Sequence, residues 1–328
     1  FGAAEFARYQ GAYDRAQTLL EELLTLQEML GDAFGLREAQ SHLGLVVGLQ
    51  GDYERANTLC QESLAFYRQR AYQQGTMTVL TILAFVMLTQ GQYTRAITLG
   101  TEASQLLRKA GNQGHLLYVL FTLAQAALLQ GELAQAREAM RDAFHIAQAL
   151  RHTYGIAASL GLIGGLAGLQ GHHVQAARLF GGAQALQDRV QAPHPPTGRA
   201  LLERMVLATR VSLGKEQFII HYSVGQSCPL EQILLEAEAM LQTVPASPAS
   251  DAPAATTSPS HSPALAALSR RELEILTLVA TGLTDAQIAQ HLHLSVRTVG
   301  KHVQSIYNKL DIHNRSAATI FAIEHGLL

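Results

Sequence analysis

Residues 50–56 read QGDYERA. Near copies stand at 10–16 (QGAYDRA), 90–96 (QGQYTRA), 130–136 (QGELAQA) and 170–176 (QGHHVQA), each forty residues from the next. Aligned, they put Gly11, Gly51, Gly91, Gly131 and Gly171 in one column and Ala16, Ala56, Ala96, Ala136 and Ala176 in another. A further small-residue column, Ala4, Gly44, Ala84, Ala124 and Gly164, lies seven places before each glycine, beside Leu43, Leu83, Leu123 and Ile163 in the last four copies. Spacing this regular reports a structural repeat.

Before each Gln-Gly lies a mostly apolar, helix-forming stretch, such as AFGLREAQSHLGLVVGL at 33–49, and after it an amphipathic one, such as DYERANTLCQESLAFYRQ at 52–69. In the second stretch Tyr53, Ala56, Leu59, Leu64 and Phe66 fall at helical spacings. They form an apolar face that a lone hairpin could not bury. Each unit therefore predicts a helical hairpin that is stable only when stacked. The glycine is expected to close the first helix in the left-handed conformation, which costs a residue with a Cβ about 1 kcal/mol or more. The alanines are expected to let the helices approach closely. Tyr13, Tyr53 and Tyr93 read as packing at the hairpin turn, since their column gives way to Leu133 and His173.

A repeated helical hairpin with a Gly-x-Tyr-x-x-Ala turn resembles the tetratricopeptide repeat in a form of about forty residues. The resemblance covers residues 1–190 and implies an all-α solenoid. Such solenoids bind peptides, proteins or small molecules or hold domains together, so the fold does not name a ligand. After the fifth copy the period decays. The stretch 191–242 predicts a Pro-rich turn at 192–198 and helices near 199–213, 215–223 and 229–241. It reads as a helical C-terminal cap, and it resembles the stretch that ends the repeat array in large bacterial transcription regulators.

The chain of 328 residues is long enough for several domains, and 48 % hydrophobic residues with a formal charge of -2 describe an ordinary globular composition. Any nucleic-acid binding must come from a local surface. Two distant cysteines, Cys60 and Cys228, suggest neither a disulfide framework nor a thiolate metal site. Cysteines so few and so placed favour a reducing cytoplasm, and no apolar run approaches the roughly 18–20 residues needed to span a bilayer, so no membrane partner is expected. It starts at Phe1 in mid-repeat, which is expected of part of a longer protein.

Residues 243–264, TVPASPASDAPAATTSPSHSPA, have no apolar periodicity and predict a flexible Pro/Ala/Ser linker. Residues 265–328 then carry clear helix punctuation. Ser269 with Glu272 makes one capping box, Thr284 with Gln287 another, and Ser295 is a candidate N-cap. Four helices are predicted, near 270–281, 285–291, 296–310 and 315–325. The second and third are separated by the length of a helix-turn-helix connection.

At 100° per residue, Val299, Val303, Ile306 and Leu310 share a narrow stripe that must face a core. Opposite lie Arg297, Lys301, Gln304, Asn308 and, off centre, Ser305. That face carries no acid. Arg and Lys can donate to guanine O6 and N7, Gln and Asn can pair with adenine, and a helix fits the major groove.

The segment LSRRELEILTLVATGLTDAQIAQHL, followed by LSVRTVGKHVQSIYNKL and the closing NRSAATIFAIEHGLL, resembles the DNA-binding domain of the LuxR family across 268–328. The resemblance implies a bacterial transcription regulator that binds double-stranded DNA, usually as a homodimer through its last helix. It places Arg297, Lys301, Gln304 and Ser305 towards bases and Thr298, Lys309 and Arg315 near phosphates. Gly300 stands where the family often has Lys, and Lys301 beside it could supply the charge. With six basic residues against five acidic ones in 265–328, monomer binding should be weak, which favours assembly on paired half-sites.

Other chemistry is poorly supported. His172-His173 and His291-x-His293 lack companion ligands at metal spacing, so no metal is expected. His302 reads as packing at the helix edge or touching a phosphate. The string SLGKEQ at 212–217 lacks the first glycine and the hydroxyl residue of a phosphate-binding loop. No cofactor and no enzymatic activity are expected of this chain. Regulators joining such repeats to a LuxR-type terminus often carry an ATPase module upstream, so the C-terminal part of a regulated signalling ATPase is one alternative. A tetratricopeptide scaffold or peptide-binding adaptor is another. The leading expectation is a DNA-binding regulator whose solenoid senses a partner protein, peptide or small-molecule inducer, drives oligomerisation, or both.

Overall fold

A computed structural model describes residues 1–190, 196–242, 268–280 and 294–310, with isolated positions at 283, 285, 288, 289, 292, 312, 318, 321 and 322. All regular structure among the described residues is helical, and the chain divides into two compact units, Phe1–Pro245 and Ala246–Leu328. The predicted linker at 243–264 lies outside the described residues.

The first unit opens with α1 (Gly2–Tyr9) and α2 (Tyr13–Leu30). Hairpins follow as α3 (Ala33–Leu49) with α4 (Tyr53–Gln69), α5 (Gln73–Thr89) with α6 (Tyr93–Lys109), α7 (Gln113–Gln130) with α8 (Leu133–Ala149), and α9 (Thr153–Leu169) with α10 (His173–Val190). The turn glycines are left-handed as expected, with φ of 76° at Gly11, 95° at Gly51, 79° at Gly91 and Gly131, and 83° at Gly171. Their backbone carries no Cβ to strain.

The turn between one hairpin and the next repeats the same conformation, with φ of 68° at Gly31, 52° at Ala71, 67° at Gly111 and 49° at Arg151. This second column was not legible from the sequence, because only two of its four members are glycine. Ala71 and Arg151 hold a conformation that L-residues adopt at a cost of about 1–2 kcal/mol.

Small residues set the helix spacing. Ala16, Ala56, Ala96, Ala136 and Ala176 have no exposed surface. A Cβ on Gly44 would lie 2.5 Å from the Cys60 Sγ, and one on Gly164 would lie 3.0 Å from the Phe180 ring. Large side chains fill the space beside them: Leu43, Leu83 and Ile163 are at most 1 % exposed. The tyrosines of the turn column pack at the edge of the core, where the Tyr53 hydroxyl donates to the Thr89 carbonyl at 3.3 Å. First helices touch one another along the array, α3 on α5, α5 on α7 and α7 on α9, so together they form one wall.

The array ends in α11 (Pro196–Leu213), α12 (Lys215–Ser227) and α13 (Leu230–Gln242). Helix α11 begins inside the stretch expected to be a turn to residue 198. Proline at a first helical position lacks only an N–H that would be unsatisfied anyway. Helix α12 also runs four residues past its expected end at 223. It lies close on α10: a Cβ on Gly225 would collide with the Arg178 carbonyl, and one on Gly181 with that of Tyr222. Helix α13 packs on α8, α9 and α10. There Arg178 makes a two-pronged ion pair with Glu236, its Nε at 2.8 Å, while Arg141 donates to the Leu241 carbonyl at 3.0 Å.

Of the second unit, α14 (Arg270–Ala280) and α15 (Val296–Leu310) are described. The predicted helices at 285–291 and 315–325 fall largely outside the described residues, as do Thr284, Gln287, His291 and His293. The core joins Leu268, Ile275, Leu276 and Val279 to Val299, Val303 and Ile306, with Ile288, Ala318 and Ala322 from intervening and following sequence. No helix among the described residues is long and apolar enough to cross a membrane, and no cluster of three or more metal-ligating side chains occurs among them.

Candidate nucleic-acid interface

Helix α14 starts with the capping box the sequence announced. Glu272 N–H donates to Ser269 Oγ at 3.3 Å and Ser269 N–H returns to Glu272 Oε2 at 2.8 Å. Two backbone donors are thereby satisfied. Helix α15 starts on a one-way N-cap, with Thr298 N–H donating to Ser295 Oγ at 3.1 Å and the two hydroxyl oxygens 2.7 Å apart.

The two helices are also tied by a contact that sequence reading missed. Glu272 is only 4 % exposed, yet it accepts from Ser305 Oγ at 2.6 Å and from Lys309 Nζ at 2.7 Å. Burial alone would raise its pKa. The bonds from Lys309, Ser305 and Ser269 outweigh it and bring the carboxyl down to about 2. The carboxylate thus bolts the C-terminal half of α15 to the start of α14. Its only signal in the sequence was the Ser-x-x-Glu box, which concerns residues three apart, whereas its further partners stand 33 and 37 residues away.

Val299, Val303 and Ile306 are buried and Leu310 packs against them, so the apolar stripe faces the core as expected. On the other side Arg297, Lys301, Gln304 and Asn308 are all exposed. Gln304 Nε2 lies 3.2 Å from Asn308 Oδ1, one turn along. Ser305 differs from its expected base-facing orientation: it is half-buried and its hydroxyl is turned to Glu272. Lys309, expected near phosphate, is exposed, yet its ammonium pairs with the same carboxylate. Thr298 stands at the amino end of the helix, and Arg315 lies outside the described residues. At Gly300 an added Cβ would meet only Asp285 Oδ2, at 4.0 Å, so the position has room for a side chain. His302 is half-buried on the flank.

An exposed row of basic and amide side chains, carried on a helix anchored to the start of α14, is a surface that fits the major groove of DNA. Residues 266–322 match the family model described as bacterial regulatory proteins, luxR family. The chain carries a LuxR-family helix-turn-helix domain behind tetratricopeptide repeats. The repeats themselves match tetratricopeptide models at 36–71 and 75–149. Among curated proteins, the chain is 41 % identical over 61 residues to the response regulator protein VraR of Staphylococcus aureus (strain Mu3 / ATCC 700698). The same identity and length hold for the VraR proteins of Staphylococcus saprophyticus and Staphylococcus epidermidis. The matched stretch is 19 % of this chain and 29 % of each relative, so the likeness spans under a third of their length. The LuxR-type domain is one of DNA-binding transcription regulation.

Proposed function

We propose that the chain is a sequence-specific transcription regulator that reads double-stranded DNA with α15, and that its solenoid senses a partner or inducer, drives oligomerisation, or both. One observation carries the reading of bases: Arg297, Lys301, Gln304 and Asn308 form an exposed, acid-free face on a helix whose opposite side is locked into a core. These four are assigned to base edges, where a bidentate pair discriminates by about 1–3 kcal/mol. Ser305 and Lys309 act through Glu272 instead, fixing the angle at which that face is presented. Thr298 and Arg315 are assigned to phosphates. The near balance of charge in 265–328 supports binding as a homodimer, since counterion release from one copy would be small.

The test is selection of bound duplexes from a random pool by the full chain, followed by fluorescence anisotropy on the selected and a scrambled duplex. Arg297→Ala should lose about 1–3 kcal/mol of discrimination between them. Unchanged discrimination and salt dependence in both Arg297→Ala and Lys301→Ala would overturn the assignment of this face.

A further inference from the structure

The wall formed by the first helices encloses space as well as supporting the stack. With α1 at one end and α11 at the other, it bounds a cavity of about 600 Å³ within the first unit. This lies in the range of small-molecule sites, about 300–1,000 Å³.

The lining has a definite chemistry. Its body is apolar and aromatic, with Ile82, Phe85, Phe121 and Leu162 from three successive first helices. Three phenols share the lining, Tyr9 on α1, Tyr118 on α7 and Tyr154 on α9, close enough for Tyr9 and Tyr118 to hydrogen-bond. Burial, with the neighbouring phenols adding to it, pushes Tyr118 and Tyr154 up to about 12, so both remain uncharged hydrogen-bonding groups. Helix α1 thus contributes Glu5, Arg8 and Tyr9 to the same lining as α5, α7 and α9.

Among the described lining residues, the only carboxylate and the only guanidinium are Glu5 and Arg8, and they neutralise each other at 2.7 Å. The second Glu5 oxygen is 3.0 Å from His42 Nδ1. Beyond that pair the titratable groups of the lining are the imidazoles of His42, His115 and His152 and the phenols, so no permanently charged group among these residues is left without its partner. An ionised ligand would therefore lose its hydration without meeting a permanent counter-charge among these residues, which is costly beside so many apolar side chains.

We propose that this cavity binds an uncharged, mainly apolar small molecule that has an aromatic ring in the body of the pocket and a hydrogen-bonding group at Tyr9, Tyr118 and Tyr154. That such a molecule is the inducer rests on the regulator reading above; that it binds does not. Two fluorescent probes with a common ring skeleton test the chemistry on the full chain: neutral N-phenyl-1-naphthylamine and its sulfonated analogue 8-anilinonaphthalene-1-sulfonate. The neutral probe should bind saturably, one per chain, and about tenfold or more tighter than the sulfonate.

Ala158→Phe, which fills the pocket, should weaken the neutral probe by about tenfold or more, and the isosteric Tyr118→Phe should weaken it severalfold. Leu235→Ser, at a position 70 % exposed on α13 and outside the pocket, should leave it unchanged. Equal binding of the two probes, insensitivity to both pocket variants, or loss of binding in Leu235→Ser would overturn the proposal. Duplex binding without probe is measured on the same preparations. Loss of that binding alone would count against the regulator reading and leave the pocket standing.

Discussion

At the scale of single residues, Glu272 shows how a buried charge is made useful. A carboxylate removed from water is unfavourable unless its oxygens are met, and here a backbone N–H, a hydroxyl and an ammonium meet them. The folded state holds the carboxyl at about 2, below its ordinary value of 4.5. Its contribution to stability is therefore complete above about pH 4.5 and drains away as the pH falls towards 2. Glu272→Gln should destabilise the C-terminal unit at pH 7 by about 1–3 kcal/mol. The difference from the wild type should shrink across that acid window, as followed by urea unfolding at a series of pH values. A gap of constant size would mean that the charge is not what matters.

The left-handed residues give a second prediction at this scale. Ala71 and Arg151 occupy positions whose equivalents, Gly31 and Gly111, are glycine. Ala71→Gly and Arg151→Gly should each stabilise the solenoid by about 0.5–1 kcal/mol, because the relief of Cβ strain exceeds the entropy that glycine adds to the unfolded chain. Thermal melts would show a rise in Tm for each.

At the scale of elements, how closely two helices pack depends on the smallest residue between them. Helices α10 and α12 meet where Gly181 and Gly225 bring backbone against backbone, leaving no space for a methyl group. Gly225→Ala should force them apart at a cost of about 1–3 kcal/mol, seen as a lower unfolding midpoint. By contrast, Gly198→Ala, whose Cβ would meet only Gln125 Oε1 at 3.6 Å, should be tolerated. The period of forty made the hairpins legible, because each needs the same small and large residues at the same places. Proline 196 was not legible as a helix start: a Pro-rich stretch signals a turn and an N-terminal helical position equally well. The outward row of α15 could be read from a 100° projection. The Glu272 clamp could not, since it depends on how α14 and α15 pack.

At the scale of the whole molecule, the two units have separate cores, one built from the repeats and their cap and the other from α14, α15 and their neighbours. Deleting residues 265–328 should abolish selective duplex binding while leaving the helical content and melting of the remaining solenoid intact, as judged by circular dichroism. Loss of the solenoid's fold on that deletion would contradict the independence of the cores. The sequence by itself determined the all-α repeat architecture and the LuxR-type character of the C-terminal segment. Both rest on local patterns: a helical period, a cap and a recurring glycine act through residues a few places apart. The tertiary structure alone decided which polar side chains of α15 remain open and which are spent on Glu272. It also decided that side chains of α1, α5, α7 and α9 line one cavity. These outcomes depend on contacts between residues up to more than a hundred positions apart, and no local pattern encodes such a distance.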